Sequence, residues 1–166
     1  KRLVGIQIVV VKKTEAAPGL DYAGVNASKG VHDSRAYIAK TNGTITIPGS
    51  TDSTNIMYKT HVQSFGWQNW VLNGTMSGTS GKAKRLEAIQ IKLYGEMANH
   101  FDVYYRVHAQ SYGWLGWAKN GEESGTAGYA KRLEGIQIVL VPKGSAAPAN
   151  NYKNIQSVNT KAYIKK

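Results

Sequence analysis

His61, Gln63, Trp67 and Trp70 lie close together, and His108, Gln110, Trp114 and Trp117 repeat them at a constant offset of 47 residues. Imidazole and carboxamide groups offer hydrogen-bond donors and acceptors, and indole offers a flat apolar face with one N–H. Such a set suits non-covalent capture: a sugar ring or a protein side chain on an aromatic platform, its polar groups met by His and Gln. Two Ser-Gly-Thr segments follow, and the hydroxyls of Ser77, Thr79, Ser124 and Thr126 extend the candidate ligand-contact strip. A plainer reading stands beside this one. Trp67 and Trp114 each follow a glycine and suit the repeat core, and the histidines suit hydrogen bonds to neighbouring turns. Trp70 and Trp117 sit in less apolar settings and are the pair expected to form a binding platform.

Hydrolytic chemistry fits poorly. A glycosidase needs two carboxyl groups roughly 5–10 Å apart. Glu87 and Glu134 are the carboxylates kept between the copies, one in each. Glu122-Glu123 faces Thr75-Met76 in the first copy and reads as a solvated turn. The sequence carries no Ser-His-Asp spacing, no phosphate loop and no His-Glu-x-x-His. His32 and His100 have no counterparts in the other copy, so a repeated histidine metal site is not expected. The chain is expected to be non-enzymatic, with no metal and no cofactor.

The 166 residues carry a formal charge of +11 and no cysteine. The charge favours polyanions, but it is spread along the chain and matches no nucleic-acid motif. Nucleic acid is therefore not an expected partner. The missing cysteine excludes a disulfide scaffold and a thiolate zinc site. The sequence has no apolar run long enough for a membrane helix, so membrane insertion is not expected.

The elements that carry these residues read as strands. Ile56, Tyr58, Thr60 and Val62 alternate with Met57, Lys59, His61 and Gln63, and residues 103–110 keep the same parity. A Gly-Trp corner follows, then Asn73-Gly74 or Asn120-Gly121 as a hairpin turn. Ser-Gly-Thr reads as a tight polar loop. Ile89, Ile91 and Leu93 share a face while Leu86 has the opposite parity, which predicts a bulge near Glu87-Ala88. Tyr58–Leu93 and Tyr105–Leu140 align without a gap, with about 22 of 36 positions identical. Such self-similarity marks a repeat architecture, in which neighbouring units share a core. The fold expected is all-β: short antiparallel sheets from tandem repeats sharing one core, prism-like or sandwich-like.

The organisation follows from the echoes. Residues 1–13 match 131–143 and read as the terminal strand of a preceding repeat, either packed on the next unit or free of it. Residues 14–54 read as a linker with a hairpin at 37–47. Repeats span 55–98 and 102–143, and 144–166 reads as a linker toward a next unit. Because Lys1 opens within a pattern, the chain is expected to be a fragment of a longer array.

The series Tyr-x-x-His-x-Gln-x-x-Gly-Trp, Asn-Gly, Ser-Gly-Thr and Arg-Leu-Glu-x-Ile-x-Ile resembles the ChW repeat, the clostridial hydrophobic repeat with a Trp. Two full repeats and the tail of a third carry the resemblance. It implies a non-catalytic attachment module on a secreted or cell-surface Gram-positive protein. The implied partner is a glycan or anionic cell-wall polymer, with a host or surface protein or a passive spacer role as alternatives. It supplies no ligand residues.

Overall fold

The structure, a computed structural model, describes residues 3–6, 8 and 56–166. The hairpin expected at 37–47 and the 14–54 linker lie outside the described residues. Strands make up 46% of the described residues, in several small antiparallel sheets, so the fold is all-β.

Each repeat is built on one long pair of strands. In the first, β2 (Ile56–Val62) lies antiparallel to β6 (Leu86–Leu93), with Tyr58 opposite Ile91 and Thr60 opposite Ile89. In the second, β7 (Phe101–Ala109) lies against β11 (Leu133–Pro142), with Tyr105 opposite Ile138 and Val107 opposite Ile136. The register is therefore the same in both. Alternation along β2 buries Ile56, Tyr58, Thr60 and Val62 and leaves the residues between them half-buried, as period-two patterning requires.

Short strands fold back on these pairs. β3 (Gly66–Trp67) and β4 (Val71–Leu72) pair with β2, and β8 (Gly113–Trp114) and β9 (Ala118–Lys119) pair with β7. The expected bulge is present in both copies. Leu86 pairs with Val62 and Ala88 with His61, which leaves Glu87 as the extra residue; Glu134 is left in the same way between Leu133 and Gly135.

The Ser-Gly-Thr segments are strands, not loops. β5 (Ser77–Gly78) and β10 (Ser124–Ala127) leave their own repeat and pair with the unit before it. Ser124 lies opposite Ile89 and Gly125 opposite Ala88. Ser77 lies opposite Ile6 and Gly78 opposite Gly5, within β1 (Gly5–Ile6). The N-terminal strand thus docks on the first repeat as that repeat's last strand docks on the second. Glycine is required at both crossings. A Cβ on Gly78 would lie 2.5 Å from the Val4 carbonyl oxygen, and one on Gly125 would lie 2.4 Å from that of Glu87. This exchange also explains why the Asn-Gly turns close no hairpin: β4 and β9 stay on their own sheets, while the strands that follow are taken by the neighbour.

One buried cluster runs through both repeats, including Tyr58, Leu86, Ile89 and Ile91 from the first and Val103, Tyr105, Val107 and Leu133 from the second. Three further elements were not expected from the sequence. A six-residue helix, α1 (Gly95–His100), joins the repeats and buries Met97. It is too short to show a helical apolar period. Residues 144–166, expected to be a linker, carry a 3₁₀ turn at Tyr152–Asn154 and the strand β12 (Tyr163–Lys165), which runs parallel to β10.

Candidate functional site

The bulge sets the site. An inserted residue re-aims the side chain that carries it, and here it brings Glu87 and Glu134 onto the face of the facing histidine. His61 Nδ1 lies 3.1 Å from the Glu87 carboxylate, and His108 Nδ1 lies 3.2 Å from that of Glu134. Arg85 and Arg132 meet the same carboxylates at 2.7 and 2.8 Å. Each imidazole also stands edge-on to the Gly-Trp indole, with centroids 5.5 Å apart for His61–Trp67 and 5.6 Å for His108–Trp114. A His-Glu-Arg-Trp cluster is thus built twice. The arginine neutralises the carboxylate, and the cluster holds one carboxyl group. Its geometry orients a histidine and an indole.

The second tryptophans differ between the copies. In the first repeat, Lys59 Nζ lies 5.1 Å from the Trp67 ring and 5.0 Å from that of Trp70, and Lys92 Nζ lies 4.6 Å from Trp70. Two ammonium groups therefore bracket two indoles on a half-buried face. In the second repeat, Arg106 replaces Lys59. Its guanidinium carbon lies 5.5 Å from the Trp114 ring and 4.5 Å from Trp117, within cation–π range.

Residues 143–158 roof that second site. Arg106 is 0% exposed. It donates through Nε to Gln137 (2.6 Å), through Nη1 to the Asn150 carbonyl (2.8 Å) and Ser157 Oγ (2.5 Å), and through Nη2 to the Ile155 carbonyl (2.7 Å). Burial lowers its pKa, but guanidinium stays protonated, so these donors repay the desolvation. Trp117 is held edge-on to Tyr152, 5.9 Å between centroids, and its indole N–H points to the Ala149 carbonyl at 3.4 Å. The second platform is thus engaged by its own chain. Ala16 to Tyr22 repeat part of the roof's sequence, at 146–152, and lie outside the described residues.

The structure sorts the predicted residues into three groups. His61, Gln63, Trp67 and Trp70 share the face that also carries Lys59 and Lys92, and His61, Gln63, Trp67 and Trp70 are all half-buried. His108, Gln110, Trp114 and Trp117 repeat it beneath or beside the roof. Ser77, Thr79, Ser124 and Thr126 are all buried at the junctions between units, where Ser77 Oγ lies 3.0 Å from Thr60 Oγ1. Their hydroxyls are buried at these junctions. Lys59, Lys92 and Arg106 were missed as site residues. The alternation placed Lys59 and Arg106 on the polar face, but a basic residue on such a face usually meets only solvent. Among the described residues, no group of three His, Cys, Asp or Glu is placed to hold a metal ion.

Two copies of a five-strand unit, each lending a Ser-Gly strand across the junction, define a tandem β-repeat module. Residues 61–95 and 108–142 are ChW repeats, matching the family model described as Clostridial hydrophobic W. No curated protein and no solved structure matches the chain at a significant level. No helix among the described residues is long and apolar enough to cross a membrane.

Proposed function

We propose that this ChW module is a non-catalytic attachment device that binds a glycan or anionic cell-wall polymer outside the cell. The supporting observation is the bracket of Lys59 and Lys92 around Trp67 and Trp70, at 4.6–5.1 Å. Indole faces stack on the apolar faces of sugar rings, and ammonium groups favour phosphate or carboxylate oxygens between them. An arrangement in the second repeat supports this reading: a cation between two indoles is capped there by carbonyl oxygens of the same chain. A net charge of +11 adds a long-range pull toward anionic polymer.

The test is co-sedimentation of the full chain with purified Gram-positive cell wall across a salt series, beside a glycan array. Binding to wall that weakens as salt screens the charges supports this reading. Binding confined to a soluble host protein and indifferent to salt overturns it in favour of a protein adhesin. A passive spacer draws on a different observation, the recurrence of one junction along the chain. It is the reading left if neither material binds.

A further inference from the structure

The two junctions inside the chain use the same parts. Each has a donor strand, Leu3-Val4-Gly5-Ile6 or Leu86-Glu87-Ala88-Ile89, and an acceptor groove in the repeat that follows. The Gly74 N–H donates to the Ile8 carbonyl at 2.8 Å, and the Gly121 N–H donates to the Ile91 carbonyl at 2.7 Å. The Ile8 N–H donates to the Tyr58 hydroxyl at 3.0 Å, and that hydroxyl donates to the Thr75 carbonyl at 2.6 Å. Tyr105 repeats the arrangement between the Ile91 N–H and the Glu122 carbonyl. Both grooves require glycine, Gly78 or Gly125, where the strands cross.

A third donor strand is present and, among the described residues, meets no groove. β11 reads Leu133-Glu134-Gly135-Ile136 and, among the described residues, pairs with β7 alone. Its register on β7 matches that of β6 on β2, so the groups that β6 gives to β10 face outward on β11. The missing cover shows in the side chains. Ile89 and Ile91 are 1% and 0% exposed, whereas their counterparts Ile136 and Ile138 are only half-buried.

We propose that the open edge of β11 is a docking strand for the Ser-Gly-Thr strand of a further ChW repeat, with Gly135 opposite its Gly and Ile136 opposite its Ser. The chemistry selects this occupant over a general β-strand. By analogy with Gly125, the residue crossing Gly135 must approach the Glu134 carbonyl too closely for a Cβ. A tyrosine hydroxyl must also reach the Ile138 N–H. An unpaired strand edge invites such addition, and the glycine crossing restricts it to repeats of this kind.

Sedimentation velocity on the full chain tests this. Ile6→Asp with Ile8→Asp frees the first repeat's own groove, and that chain mixed with wild type is expected to associate head to tail. Ile136→Asp with Ile138→Asp in both partners is expected to weaken the association about tenfold or more. Because the chain has no cysteine, register can be read directly. Ser77→Cys in the opened chain should form a disulfide with Ile136→Cys in its partner, and not with Gln137→Cys. The proposal is overturned if the opened chain keeps the wild-type circular dichroism and stays monomeric with wild type. It is equally overturned if the changes in β11 leave association intact. Should the double change unfold the chain, Ile8→Thr loosens the same strand more gently and the same two outcomes decide.

Discussion

Gly125 crosses Ala88 so closely that a Cβ on Gly125 would lie 2.6 Å from the Ala88 Cα, and its φ is +129°. No L side chain fits there without moving a strand. Gly125→Ala is therefore expected to cost about 3 kcal/mol or more, through strain and separation of the repeats. Gly66→Ala is the control: its φ is +71° and nothing lies within 4 Å of the added Cβ, so about 1–2 kcal/mol is expected. Urea unfolding of both variants checks the difference. Equal losses would mean that the crossing is not tight.

Arg106→Ala removes the cation from a buried site, takes the guanidinium donor from the Ile155 carbonyl and leaves the Asn150 carbonyl with the Ser157 N–H alone. A loss of about 3–5 kcal/mol is expected, as for one partner taken from a buried polar network. The roof should also loosen. Amide exchange at Ser157 and Val158, whose N–H groups donate to Asn150 and Trp114, is expected to speed up while exchange in β2 does not. Arg106→Lys supplies the residue found at position 59, and should restore the charge but not the forked geometry.

Acid should act through Asp102. This carboxylate is 1% exposed and meets Lys119 (2.9 Å), Lys143 (3.3 Å), Asn120 (2.7 Å) and the Gly144 N–H (2.8 Å). The hydrogen bond from Lys119, above all, holds its pKa far below the usual carboxylate range. A depressed carboxylate stabilises the fold above its unfolded pKa and loses that contribution as pH falls below it. Unfolding followed from pH 7 down should show stability falling from about pH 5. Asp102→Asn should be less stable at pH 7 and should lose less on acidification. A variant with the wild-type acid slope would contradict this role.

The repeats were legible because 47-residue self-similarity and strand parity are local signals. Ile56, Tyr58, Thr60 and Val62 are buried as their alternation requires, and the parity break at Leu86 marked the bulge at Glu87. The destination of the Ser-Gly strands was not legible. Pairing across a junction is non-local, and Ser-Gly-Thr has turn composition with no apolar alternation. The roof over Arg106 was missed for a related reason. Residues 144–158 have loop composition, and their work is done by backbone carbonyls, which every sequence supplies. The split between Trp70 and Trp117 follows from that roof and from the residues that differ around each ring, Arg106 for Lys59 and Gly116 for Asn69.

Wall binding by Trp70→Ala and Lys59→Ala, beside wild type at low salt, is the most direct measurement of function. Stacking on the indole and the ammonium groups around it are expected to contribute separately, so each change should weaken binding about tenfold. Trp117→Ala, at the platform already engaged by the chain, should lower stability and leave wall affinity near wild type. If Trp70→Ala and Lys59→Ala, both folded, bind wall as wild type does, then the lysine-bracketed tryptophan face is not the attachment site.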